Sequence, residues 1–285
     1  MPKVSIIMRS INDMDFIEAT FQGIQEQNFQ DFEIVNVDSG STDGTYELIK
    51  KYNKGTVYQI RPEEYVPGPV LNTAISRSKG DLIVFNNSDC IPQNQDWLGN
   101  LIAPLSDSNV AASFGRQIPR SNSHPLVAKD YERAFGDGLI SSQWHHFFSL
   151  ATSAVRKDLI TKYPFDPKVQ YSEDIEWSYR MKQEGYKIKY VPDAVVEHSH
   201  NYTMPQVYKR FYEEGRAEAF IYGPEFKLFS KFLRPLGMEI LRDIFYLVKT
   251  GNYDQIPYGF QYRAVQKYAI YKGNKDFFNG HTYQN

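Results

Sequence analysis

Residues 33–52 read Glu33-Ile-Val-Asn-Val-Asp38-Ser-Gly-Ser-Thr-Asp43-Gly-Thr-Tyr-Glu-Leu-Ile-Lys-Lys-Tyr52. Glu33–Val37 is rich in β-branched apolar residues and predicts a strand. Asp38–Thr45 is a polar turn whose Asp, Ser, Thr and Gly all suit tight backbone geometry. Tyr46–Tyr52 then predicts a helix. The same alternation continues on both sides. Upstream, Lys3–Met8 predicts a first strand. Met14–Gln27 carries Phe16, Ile17, Thr20, Phe21 and Ile24 at helical spacing. Downstream come a strand at Thr56–Ile60, a helix at Val70–Ser78 closed by Gly80, and a strand at Asp81–Phe85. Strands and helices alternating through short loops predict an α/β fold, a mostly parallel sheet flanked by helices. Ligands of such sheets bind beyond the carboxyl ends of the strands. Asp38–Asp43 and Asn86–Asp89 both fall at that edge.

Further along, Val110–Phe114 and Leu150–Val155 predict strands, and Ser172–Glu184 a helix stopped by Gly185. Lys187–Val191 and Ala194–Glu197 predict two short strands around Pro192-Asp193. From Met204 the pattern is helical, broken at Pro224 and Pro235. This places a catalytic domain over residues 1–222 and a helical C-terminal extension over 223–285.

Composition narrows the function classes. The 285 residues are 41% apolar and 23% charged, as in an ordinary globular protein. A formal charge of −2 argues against a nucleic-acid partner. A single cysteine excludes an intramolecular disulfide framework and a Cys-rich zinc site. No apolar run approaches the roughly 20 residues of a membrane span, and no signal-peptide stretch opens the chain, so the expected location is cytoplasmic. An aromatic share of 15% suits stacking surfaces for sugars or bases as well as a core.

Four clusters could carry chemistry. Asp38–Asp43 offers converging acceptors and donors for a base or ribose, and equally an Asx-turn with a helix cap. Asn87-Ser88-Asp89 puts a hard oxygen ligand at a strand end, suited to Mg²⁺ or Mn²⁺ on a diphosphate, and equally forms a turn. Ser172-Glu173-Asp174 opens a helix with two acids, which supplies either a general base or simple dipole compensation. His198 and His200, at i and i+2, face one way if the strand continues through them. Trp144-His145-His146 and Trp177 could form an aromatic shelf for a sugar, or core. Cys90 reads as a small buried residue.

In this order the motifs resemble the family 2 glycosyltransferases of the GT-A (Rossmann-like) fold, over about residues 3 to 220. The resemblance rests on Val4–Asn12, on Val37–Thr45, on Leu71-Asn72 and Lys79–Asp81, on Asn87-Ser-Asp89 in the place of the family's Asp-x-Asp, and on Ser172-Glu-Asp174 in the place of its Glu-Asp. Ile91-Pro92, Trp97-Leu98, Phe114–Pro119 and Val196–Tyr202 add a similarity to bacterial members labelled rhamnosyltransferases. The resemblance implies inverting transfer of a sugar from a nucleotide-diphosphate sugar, dTDP-rhamnose or a UDP-hexose, to a glycan or lipid-linked glycan of surface polysaccharide. It implies that Ser10, Asn12, Asp38, Ser39, Asn72 and Asn87 surround the nucleotide. It implies that Asp89 holds Mn²⁺ or Mg²⁺, with His198 or His200 on its far side. Asp174 is then the base, Glu173 positions a sugar, and Trp144 and Trp177 meet the acceptor. Asn87 departs from the family's Asp, and Leu71 stands where relatives often carry Arg. A catalytically silent binding subunit is the alternative that Asn87 supports. A nucleotidyltransferase is disfavoured because Arg9–Asp15 lacks a Gly-rich loop.

Residues 227–285 carry nine Lys/Arg against four Asp/Glu, a local charge of +5. Leu236, Ile240, Leu241, Ile244, Phe245 and Val248 form an amphipathic stripe. The expectation is a helix packed on the catalytic domain, with peripheral contact to the inner face of an anionic membrane, or to a partner, as the sharper alternative.

Overall fold

The structure is a computed structural model and describes residues 2–144, 147–225 and 227–280. The chain forms two compact units. The first comprises residues up to 120, 131–167 and 173–199, and the second residues 121–130, 168–172 and 200 onward.

The first unit is built on an eight-stranded mixed sheet. Its strands are β1 (Val4–Ser10), β2 (Phe32–Asp38), β3 (Thr56–Gln59), β4 (Leu82–Asn86), β5 (Ile91–Pro92), β6 (Val110–Ile118), β7 (Thr152–Arg156) and β8 (Lys187–Glu197). They lie in the order β3-β2-β1-β4-β7-β6-β8-β5. β7 runs antiparallel to both its neighbours, and β5 runs antiparallel to β8. The other pairs are parallel, so the carboxyl ends of β1, β2, β4, β6 and β8 share one edge.

Helices cover both faces: α1 (Met14–Gln25), α2 (Thr45–Tyr52), α3 (Pro67–Arg77), α4 (Trp97–Ile102), α6 (Lys157–Lys162) and α7 (Glu173–Gln183), with α5 (Pro125–Phe135) divided between the units after Asp130. β1 shows why there are two faces. Val4, Ile6 and Met8 enter one core with Ile17, Phe21, Ile24, Trp97 and Leu101. Ile7 enters the other with Val35, Leu71, Phe85, Phe165, Trp177 and Met181. That is the period-two alternation of a strand buried on both sides. Proline at the first turn starts α3 at Pro67, three residues before the expected Val70.

The two short strands expected around Pro192-Asp193 are one strand. β8 pairs with β6 as Gly115↔Val191 and then Arg116↔Val195, so Pro192–Ala194 bulge out of register. Proline has no ladder N–H to lose there. Gly115 lies under the bulge, where a Cβ would collide with the Ala194 carbonyl oxygen.

The second unit is helical: α8 (Met204–Tyr222), α9 (Arg234–Lys249), entered through the helical turn Phe229–Leu233, and α10 (Ile256–Phe278). The expected boundary at 222 therefore differs from the division found here, which places α8 with the C-terminal helices. α8 and α10 pack closely because Gly215 meets the Ile270 backbone and Gly273 meets that of Tyr212, contacts with no room for a Cβ. Leu126, Val207, Leu247 and Tyr262 form this unit's core. Beside it, the buried Arg263 bonds Asp243 at 2.7 Å and Asp130 at 2.7 and 2.9 Å. Among the described residues no helix is long and apolar enough to cross a membrane.

Candidate active site

The shared strand edge gathers the predicted clusters of the first unit. At the end of β1, Ser10 hydroxyl donates to Asp38 Oδ2 at 2.9 Å. Asp38 also accepts from the amides of Gly40 and Ser41, at 3.1 and 2.9 Å, and from Gln59 Nε2 at 2.8 Å. Asp38 is thus the buried keystone of an Asx-turn at the shared strand edge. Asn12, held at φ 53°, accepts from the Thr42 amide at 2.9 Å and ties the β1 loop to that turn. Ser39 is buried beside it, its amide bonded to the Ser10 carbonyl at 2.9 Å. Asn72 does something else. Its amide donates to the Phe165 carbonyl at 2.9 Å and accepts the Phe165 N–H at 3.1 Å, so it clips a loop to α3.

Beyond β4, Asn87 and Asp89 diverge in role. Asn87 Oδ1 accepts from Arg9 Nη2 at 3.2 Å and Nε at 3.3 Å. The same guanidinium donates to Glu173 at 3.0 Å and to the Tyr65 hydroxyl at 3.2 Å. Burial works against the Arg9 charge, but Tyr65 and Glu173 outweigh it and hold the guanidinium protonated. Sequence reading missed Arg9. The signal was a lone cation near the end of an otherwise apolar strand.

Asp89 faces His198. Asp89 Oδ2 lies 3.4 Å from His198 Nε2. Gln117 Nε2 donates to Ser149 at 2.9 Å, which turns its carbonyl oxygen toward His198 Nδ1 at 2.7 Å. With Gln117 accepting from Nδ1–H, a neutral His198 turns its Nε2 lone pair toward the Asp89 carboxylate. Two acceptors pointed at one another fit a cation between them. Cys90 completes this group of potential ligands, but burial pushes its thiol well above the ordinary range, and a neutral thiol is a poor ligand for a hard ion. Arg120, also unforeseen, donates to the Asp89 carbonyl at 2.6 Å and to its carboxylate at 3.3 Å. Its buried Nε has no hydrogen-bond partner among the described residues. His200 lies outside this group and stacks on Tyr202 in the second unit. β8 ends at Glu197, so the i, i+2 alternation does not carry through to it.

Glu173 and Asp174 open α7. Asp174 accepts from the Leu150 amide at 3.3 Å and the Ile175 amide at 2.9 Å. Burial, and then the Glu173 charge, push its carboxyl up to about 7, against the opposing pull of those amides and Arg9. Trp177 is corrected from acceptor shelf to core. It is fully buried against Phe148 and Phe165, and its indole N–H donates to the Tyr163 carbonyl at 2.7 Å. That burial leaves its ring no face for a sugar. Trp144 is half-buried, edge-on to Phe147 at 5.0 Å. His145 and His146 lie outside the described residues.

The sequence pattern of Glycosyl transferase family 2 matches residues 5–163. The chain is 32% identical over 206 residues to the O-antigen chain rhamnosyltransferase WbaN of Salmonella anatum, covering 68% of this chain and 65% of that one. It therefore spans just under two thirds of that relative's length. It is 27% identical to the O-antigen chain rhamnosyltransferase RfbN of Salmonella typhimurium, covering 75% of this chain and 71% of the other. In fold it is similar to a mannosyltransferase of Pyrobaculum calidifontis solved with GDP-Man and Mn²⁺. The TM-score is 0.66 at 18% identity, over 98% of this chain and 88% of that one.

Proposed function

Because the chain belongs to glycosyl transferase family 2, we propose that it moves a sugar from a nucleoside-diphosphate donor to a hydroxyl of a glycan or lipid-linked glycan, with inversion, in surface polysaccharide synthesis. The relatives named as rhamnosyltransferases favour dTDP-rhamnose as donor over a UDP-hexose. One observation carries the reading. Along a single sheet edge, Arg9 joins Asn87, two residues before the Asp89 that faces His198, to Glu173, the neighbour of Asp174.

The nucleotide lies against the turns that follow β1 and β2, beside Ser10, Asn12, Asp38 and Ser39. Mn²⁺ or Mg²⁺ held by Asp89 and His198 would supply charge that compensates the departing diphosphate. Arg120 adds a fixed positive charge at the same place, with its Nε still to be matched. Asp174 takes the proton of the acceptor hydroxyl as that oxygen bonds the anomeric carbon and the bond from that carbon to the diphosphate oxygen breaks. A carboxyl raised to about 7 suits the task, because it is a stronger base than an ordinary carboxylate and is still partly ionised near neutral pH. Glu173, fixed by Arg9, positions the sugar. Asn87 need carry no charge, since its contact is with a cation. The Arg9–Asn87 bond weighs against the silent-subunit alternative. The enzyme acts on the cytoplasmic side, where nucleotide sugars are available.

A thermal-shift panel of nucleotide sugars, with and without Mn²⁺, tests the binding half. One nucleotide sugar should raise the melting temperature, more so with metal, in both the wild type and Asp174→Asn. The absence of any shift, or a shift with no dependence on metal, contradicts the assignment.

A further inference from the structure

The stripe expected to pack inward is divided on α9. Leu247 is buried, and Leu236, Ile240 and Ile244 are half-buried. Leu241 and Phe245 are 69% and 72% exposed, with Met238 and Val248 also exposed. At 3.6 residues per turn, Arg234, Met238, Leu241, Phe245 and Val248 fall within about 80° of arc. Leu228, Phe229 and Leu233, on the turn leading into α9, are exposed as well. Such a row of large apolar side chains exceeds the scattered exposure of an ordinary surface.

The charges around the row select its partner. Between residues 227 and 249 the exposed charged side chains are Lys227, Arg234 and Lys249, all basic. The two acids of this stretch are turned away. Asp243 is buried on Arg263 and Lys129, and Glu239 bonds Arg242 at 2.8 Å. An apolar face bracketed by cations matches the interface of an anionic bilayer, where aromatic and aliphatic side chains enter the acyl boundary and Lys/Arg meet the headgroups. A second copy is a poor match. Antiparallel pairing of this face brings Arg234 against the partner helix's Lys249, and parallel pairing sets each cation against itself.

We propose that the exposed face of α9 docks the protein in the plane of an anionic membrane, with Leu241 and Phe245 inserted and Arg234 and Lys249 on the headgroups. This inference is independent of the transferase reading. Neither face nor charge involves the site in the first unit.

Co-sedimentation of the full chain with vesicles tests it, comparing equimolar phosphatidylglycerol and phosphatidylcholine with phosphatidylcholine alone. The wild type should pellet with the anionic vesicles at low salt and be released as salt rises. The double variant Leu241→Glu/Phe245→Glu should lose about tenfold or more in partitioning. The variant Arg234→Gln/Lys249→Gln should lose most of the salt-sensitive part. Both change exposed side chains, and circular dichroism checks that they fold. Failure to pellet at low salt, or equal partitioning into neutral vesicles, overturns the proposal. So does a dimer in light scattering that the Glu double variant disperses, since that assigns the face to a second copy.

Discussion

Arg9 is where the charges of the site meet. It bonds Asn87 and Glu173, and its field helps keep Asp174 ionisable. Replacing Arg9 with Ala should slow transfer by about tenfold or more near neutral pH. It should also move the acidic limb of the pH–rate profile upward, because the cation that favours the Asp174 carboxylate is gone. In the wild type that limb should fall near 7, with activity lost as pH falls through it, since the proton acceptor must be ionised. A profile of kcat/KM against pH for both proteins checks the sign. Asp174→Asn should lower turnover by about 10²–10⁴-fold. It should also stabilise the fold. A carboxyl whose folded pKa lies above its unfolded value stabilises the folded state at low pH, and that stability is lost as pH rises from the unfolded value to the folded one, here about 7. Removing it should therefore raise the Tm in alkaline buffer, on the order of 1 kcal/mol. The carboxylates and the turn were legible in the sequence because each sits in a local motif, whereas His198 and His200 were not told apart. Arg9, Arg120 and Gln117 were not legible. Their meaning comes from partners far along the chain, such as Glu173 for Arg9, Asp89 for Arg120, or His198 for Gln117.

At the scale of elements, the strand–helix alternation of the first hundred residues was readable, because the central strands β1, β2 and β4 bury both faces and each helix one. β8 was not. From sequence alone, Pro192-Asp193 looks like a turn, and only the pairing with β6 reveals a bulge inside one strand. That bulge has a consequence. It resets the register just before Val195–Glu197, and so fixes which way the chain delivers His198. Gly115→Val should press a side chain into the Ala194 carbonyl, destabilise the fold by about 1–3 kcal/mol and weaken Mn²⁺ binding. Thermal denaturation and Mn²⁺ titration by electron paramagnetic resonance read the two effects. Trp177 errs in the opposite direction: helical spacing gave its neighbourhood, but a single sequence does not say which flank of α7 faces the core.

For the whole molecule, one chain of nearly balanced charge carries two units of different character. The first is an α/β scaffold whose strand ends place acids, histidine and arginines at one edge. The second is helical, held by glycine-mediated packing of α8 on α10 and by a buried ion-pair network about Arg263. The helices of this unit were legible. Their pairing and the outward face of α9 were not, since amphipathic spacing marks apolar residues without saying what covers them. The account as a whole stands on the Asp89–His198 pair and Asp174 serving one reaction. The most direct measurement is release of nucleoside diphosphate from a panel of nucleotide sugars with Mn²⁺, comparing wild type, Asp89→Asn and Asp174→Asn. The account predicts turnover of one donor by the wild type. It predicts loss of donor stabilisation and turnover in Asp89→Asn, and loss of turnover with stabilisation retained in Asp174→Asn. Wild-type turnover in Asp174→Asn, or metal-dependent donor binding unchanged in Asp89→Asn, would contradict it.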